Sequence, residues 1–123
     1  MRFASYATAG KNGLALHSGA GWHGLTEGDA GFPGTLQSVI AAGGDALARA
    51  AAVLEKAPLV DLEKVTLLPP LSHPEKIICI GLNYKDHSAE SGFKQPEYPT
   101  VFGRFNSSLI AHDAPILRPA FSE

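Results

Sequence analysis

His87 and Glu90 stand three residues apart in the run Asn83-Tyr84-Lys85-Asp86-His87-Ser88-Ala89-Glu90. On a helix this spacing places both side chains on one face, where they can meet. A carboxylate that accepts a hydrogen bond from an imidazole fixes its tautomer and raises its basicity, which prepares it to take a proton from water near neutral pH. Asn83 and Lys85 could add donors, and Tyr84 a hydroxyl. Taken by spacing alone the signal is weak, because His-x-x-Glu pairs also arise by chance on solvated helices. Cys79, inside an apolar strand and without an electropositive setting, reads as a small core hydrophobe rather than a nucleophile. His17, His23, His73 and His112 have no ligand-like spacing. Arg104, between Gly103 and Phe105, either faces solvent or reaches into a site, and the pattern alone favours solvent.

The elements that must carry these groups follow from glycine, proline and hydrophobic periodicity. Lys76-Ile77-Ile78-Cys79-Ile80-Gly81-Leu82 is a continuous apolar, β-branched run and predicts a strand covered on both faces. Asn83 can cap a short helix through Glu90, with Asp86 at its N3 position and Gly92 as the stop. Such a strand-to-helix junction puts polar side chains at the mouth of a sheet, where sites are commonly built. Pro96 and Pro99 frame a loop, after which Thr100 to Phe105 and Leu109-Ile110 are expected to be extended. Upstream, Arg2 to Tyr6, Leu14 to His17 and Trp22 to Leu25 predict a β-meander, with its first turn at Lys11-Asn12-Gly13. Thr35 caps a helix from Leu36 to Ala42 that stops at Gly43-Gly44, and Asp45 caps a second that Pro58 limits. In that second helix Ala46, Leu47, Ala50, Val53 and Leu54 fall near helical spacing, and a plain packing role is expected for it. Val60 to Leu68 is expected to be extended. Pro69-Pro70 and Ser72-His73-Pro74 read as a linker. The expected organisation is a small domain over 1–70 and the beginning of a second over 71–123, of α+β class.

Composition bounds the function. The 123 residues carry ten Lys and Arg against twelve Asp and Glu, so the net charge of −2 leaves no basic surface for nucleic acid. One cysteine excludes an internal disulfide, and no Cys/His cluster has zinc spacing. No apolar run is long enough for a membrane span, and the start lacks a signal peptide's apolar stretch. These features lead to the expectation of a soluble cytoplasmic protein.

A longer ordered pattern raises the weight of the His87/Glu90 pair. K-I-I-C-x-G-L-N-Y-x-D-H-x-x-E, then P-x-x-F-x-R-F-x-S-S-L over 99–109, then Pro115-Ile116 and Arg118-Pro119, resembles the opening of the fumarylacetoacetate hydrolase family catalytic domain. Residues from Met1 through Pro70 also resemble the small leading domain of one bacterial branch, so the resemblance covers nearly the whole chain. It implies a β-roll core in the second domain and an enzyme of small oxo-acids such as acylpyruvates. It implies that His87 and Glu90 are the water-activating pair, and that Arg104 contacts a substrate carboxylate. It further implies that Mg²⁺ or Mn²⁺ polarises the keto-acid end and stabilises the enolate left by C–C cleavage. Decarboxylation, tautomerisation or hydration of related oxo-acids would pass through the same enolate and stay open, as does a non-catalytic module. The family commonly dimerises, so a homodimer is a further implication.

The family's metal ligands, a Glu-x-Glu pair and a later Asp, fall beyond the S-S-L strand. Glu123 has no partner in such a pattern, and Glu97 and Asp113 are isolated. Hard cations require several clustered oxygens. The expectation is therefore a chain cut before its metal site, holding the general-base half and inactive by itself.

Overall fold

In the computed structural model of the chain, Ala9 and Gly10 both take positive φ, 48° and 74°, as the two central residues of a type I′ turn. This turn joins β1 (Phe3–Thr8) to β2 (Lys11–Ser18), which pair antiparallel from Phe3↔Leu16 to Thr8↔Lys11. The expected turn at Lys11-Asn12-Gly13 is thus displaced by two residues. A two-residue I′ loop matches the twist of the flanking strands, and Lys11 to Gly13 then continue the ladder. The structure describes residues 1–19, 21–83, 90, 92 and 97–122. These form two units, Met1–His73 with Leu109–Glu123, and Pro74–Ser108.

The leading unit is a five-stranded antiparallel sheet in the order β4-β3-β2-β1-β5, with β3 at Gly21–Thr26, β4 at Leu59–Val60 and β5 at Thr66–Leu67. The expected meander forms the sheet's centre, while both edges are two-residue strands, too short to template pairing with another chain. The stretch from Val60 to Leu68 is not continuously extended. A 3₁₀ turn at Leu62–Lys64, capped by the Asp61 carboxylate accepting from the Glu63 N–H at 3.1 Å, divides it and carries the chain from one edge of the sheet to the other.

Helix α1 (Leu36–Ala41) begins as expected, with the Thr35 hydroxyl accepting from the Ser38 N–H at 3.2 Å. It ends at Gly43 and Gly44, both at positive φ. Helix α2 (Ala46–Leu54) differs from expectation at its start. Asp45 makes no capping bond from its side chain and instead pairs with Arg49, one turn along. The core joins Leu14 and Leu16 of β2 to Val39 of α1 and to Ala46, Ala50, Ala51 and Leu54 of α2, with Phe3, Leu25, Phe32 and Leu36 around it. Alanine removes little area from water by itself, but its small volume lets α2 approach the sheet closely enough to enclose Leu54 completely. Leu47 and Val53, near the same helical stripe, lie at its margin and stay partly exposed.

The opposite face of the sheet has its own packing. Tyr6 is 2% exposed, and its ring lies across Gly13, the residue it opposes in register. A Cβ built on Gly13 would collide with that ring, and one on Gly24 would come within 3.0 Å of the Tyr6 hydroxyl. The two glycines therefore form the bed of the tyrosine. Burial, with a smaller contribution from the Asp29 charge, pushes the Tyr6 phenol up. Gly13→Ala should cost about 1–3 kcal/mol, the range for overpacking a filled site. Chemical denaturation checks this, and the loss should be largely recovered in the double variant with Tyr6→Ala, relative to Tyr6→Ala alone.

The turn after β3 is held by Asp29, whose carboxylate accepts from the Thr26 N–H at 2.7 Å and the Thr26 hydroxyl at 2.9 Å. These bonds hold its pKa below the ordinary carboxylate value, with Lys11 adding a favourable charge. A depressed folded-state pKa gives stability that is present above the unfolded value and lost as pH falls through the folded one. The melting temperature of Asp29→Asn should therefore lie below the parent's at neutral pH, and the gap should narrow below about pH 4. A gap that widens with acid would contradict the assignment.

Candidate active site

Pro99 and the β-branched residues of the 77–80 and 100–101 segments set up the second unit. In it β6 (Ile78–Gly81) pairs antiparallel with β7 (Thr100–Gly103), in the register Ile78↔Gly103, Cys79↔Phe102, Ile80↔Val101 and Gly81↔Thr100. The Arg104 N–H donates to the Ile77 carbonyl at 3.0 Å and extends the ladder by one bond. Because opposed residues share a face, Ile78, Ile80 and Val101 line one side of the ribbon, and Cys79, Thr100 and Phe102 the other.

The strand expected to be covered on both faces is not. Ile78 is 65% exposed and Val101 59% exposed, since the described sheet contains these two strands alone. A two-stranded ribbon cannot bury either face by itself. Beyond Gly103 the expected extension to Phe105 gives way to a 3₁₀ turn at Asn106–Ser108, closed by the Ser108 N–H and hydroxyl donating to the Phe105 carbonyl. Leu109 and Ile110 are in no strand.

At the carboxyl end of β6 the backbone turns sharply. Leu82 has φ of 52°, a left-handed conformation that costs a non-glycine residue about 1–3 kcal/mol and concentrates at functional sites. Nothing in the residue type announces this. The turn delivers Asn83, which is exposed, to a concavity of about 190 Å³ lined by Ile80, Gly81, Leu82, Asn83, Glu97, Tyr98 and Pro99. Glu97 and Tyr98 thus face the mouth that Asn83 occupies. In the sequence Glu97 is an isolated loop residue, and only folding of the 97–99 segment against the end of β6 brings it there.

The expected site residues are placed as follows. His87 lies outside the described residues, as do Tyr84, Lys85, Asp86, Ser88 and Ala89. Glu90 is described and exposed. Arg104 is exposed and follows β7 at the end of the ribbon where β6 begins, so by register it stands at the opposite end from Asn83. Cys79 is a free, half-buried thiol. Of the scattered histidines, His23 sets its Nδ1 2.8 Å from the Ala57 carbonyl, so that nitrogen carries the hydrogen and the ring helps fasten the end of α2 to the sheet. His17 accepts from the Arg2 guanidinium at 2.9 Å and meets Trp22 edge-on at 5.2 Å. Both serve structure.

Residues 76–123 match the family model described as fumarylacetoacetate hydrolase, C-terminal. This is the segment that carries β6, the turn at Leu82 and β7. Over this segment the chain is similar to the fumarylacetoacetate hydrolase family. Among its curated relatives, the oxaloacetate tautomerase Fahd2a, mitochondrial, of Rattus norvegicus is 36% identical over 113 residues, which cover 90% of the chain and 36% of the relative. The oxaloacetate tautomerase fahd2, mitochondrial, of Xenopus laevis is 34% identical over 112 residues, 90% of the chain and 35% of the relative. An uncharacterised protein of Methanocaldococcus jannaschii is 46% identical over 50 residues, 41% of the chain and 21% of the relative. The chain therefore spans about a third of the length of the curated relatives that match most of it. No solved structure matches the chain.

The family match brings a divalent metal into question. Among the described residues no group of three or more His, Cys, Asp or Glu side chains comes together. Among the described residues, Glu97 has Asn83 and Tyr98 beside it and no second carboxylate, and Asp113 is exposed against His112 at 3.3 Å. Mg²⁺ or Mn²⁺ takes six or so oxygen ligands in defined geometry, and the described residues do not supply them. Among the described residues, no helix is long and apolar enough to cross a membrane.

Proposed function

We propose that this chain contributes the proton-transfer half of an enzyme acting on small oxo-acids, with His87 as the base and Glu90 as the carboxylate that orients it. The observation that carries the proposal is the ordered K-I-I-C-x-G-L-N-Y-x-D-H-x-x-E run within the family-matched segment. The exposed end of β6 supports it. There Asn83, Glu97 and Tyr98 gather at a strand-to-loop mouth open to a small polar substrate.

Two reactions use the same pair. In tautomerisation, His87 takes a proton from the carbon next to the keto group while electrons move to oxygen, and a proton returned to that oxygen completes the enol. In C–C hydrolysis, His87 takes a proton from water, whose oxygen bonds to the distal carbonyl. The bond to the neighbouring carbon then breaks with its electron pair leaving as the keto-acid's enolate, which takes the proton back from His87. A carboxylic acid and a keto-acid result. Two relatives with the name oxaloacetate tautomerase, each aligned over 90% of the chain, favour the first. Acylpyruvate hydrolysis is the second reading. Arg104 enters the proposal as a contact for a substrate carboxylate by resemblance alone.

The metal would be held by residues other than those described, so the chain's own share of the chemistry is proton transfer. Titration calorimetry of the 123-residue chain with Mg²⁺ or Mn²⁺ should show no saturable site. The reaction itself is tested on the longest protein in which the chain occurs, with oxaloacetate and the metal supplied. Accelerated decay of the enol's ultraviolet absorbance, without loss of total oxaloacetate, supports tautomerisation. Appearance of pyruvate from an acylpyruvate supports hydrolysis, and the absence of both activities would defeat the proposal. A cytoplasmic location and a homodimer belong to the same proposal; the relatives' names read mitochondrial, and cell fractionation and sedimentation decide these points.

A further inference from the structure

The segment after β5 is rich in proline, with Pro69, Pro70 and Pro74 inside six residues, and proline has no N–H with which to join a sheet. It is nonetheless fastened. The Leu68 N–H donates to the Ser5 carbonyl at 2.9 Å, and the Ser5 hydroxyl donates to the Pro70 carbonyl at 3.0 Å. The third fastening comes from α1. The Gln37 carboxamide donates from Nε2 to the His73 carbonyl at 2.7 Å and accepts at Oε1 from the His73 N–H at 2.9 Å. A carboxamide is chemically a peptide group, so this reciprocal pair is a β-bridge made by a side chain. It supplies what the prolines remove.

We infer that Gln37 is a latch that makes 68–73 a strap of the leading unit, so that the chain's freedom begins at Pro74 and not at Pro69. The division between the two units likewise falls between His73 and Pro74. The strap lines a concavity of about 480 Å³ with Ser5, Asn12, Gly13 and α1, and the latch bonds its distal end at His73. The latch is independent of the proposed chemistry.

Amide hydrogen exchange on the whole chain tests it. In the parent the His73 amide should be protected. Gln37→Met keeps the length of the side chain but loses both polar groups, and should speed His73 exchange by about tenfold or more. The Leu68 amide, bonded to Ser5, and the Leu14 and Leu16 amides of the sheet should keep their rates. Gln37→Glu keeps an acceptor for the His73 N–H but sets a carboxylate oxygen against the His73 carbonyl, so its effect should be smaller than that of Gln37→Met. Unprotected His73 in the parent, or an unchanged rate in Gln37→Met, would overturn the latch. A rise shared equally by Leu14 and Leu16 would overturn it as well, because Gln37 would then support the whole unit rather than the strap.

Discussion

Leu54→Ala is expected to destabilise the leading unit by about 2–5 kcal/mol, the range for emptying a fully enclosed leucine site. Leu54 is 0% exposed and sits where α2 meets Leu14 and Leu16 of the sheet. Its neighbours on the helix are Ala50 and Ala51, whose side chains are too short to fill the space it would leave. The backbone there cannot collapse inward, because α2 already lies close to the sheet. That argues for the upper part of the range. In thermal unfolding the midpoint should fall by roughly 15–40 °C for a unit of this size. Leu47→Ala, at a position 37% exposed on the same helix, should cost less than half as much. Equal losses at the two sites would mean that α2 packs through a different face from the one described.

His87→Ala, made in the longest protein that carries the chain, is expected to lower kcat on an oxo-acid substrate by about 10²- to 10⁴-fold, the contribution of a positioned general base. Glu90→Gln should lower it by less, because a glutamine can still accept the imidazole hydrogen bond while losing the charge that raises its basicity. The order of the two effects is the informative part. If Glu90→Gln were the more damaging, the roles assigned to the pair would be exchanged. A loss of metal affinity in either variant would argue that the pair holds the ion instead of moving a proton.

The leading unit was legible wherever local chemistry decides structure. Thr35 ahead of an apolar run, Gly43-Gly44 behind it, and alternating short strands are signals carried by neighbouring residues, and they set α1 and the meander. The failures share a cause. Lys11-Asn12-Gly13 has the composition of a turn, yet Gly13 is needed in the strand to receive the Tyr6 ring from β1, a demand that its sequence neighbours do not reveal. Asp45 has the composition of a cap, yet its carboxylate is drawn one turn on to Arg49. Proline from 69 to 74 has the composition of a linker, yet Gln37, thirty-six residues away, fastens its end.

The site divides in the same way. Residue types, order and spacing alone determined the family resemblance and the α+β class, and they are the whole basis on which the His87/Glu90 pair is proposed, because such runs are local in sequence and chemistry is written in side-chain type. Tertiary structure decided that Glu97 and Tyr98 join Asn83 at the end of β6, and that Arg104 stands at the other end of the ribbon. It also decided that Leu82 turns the chain through a left-handed backbone. Those are consequences of strand register and of contacts between residues distant in sequence, and no periodicity within a single segment encodes them.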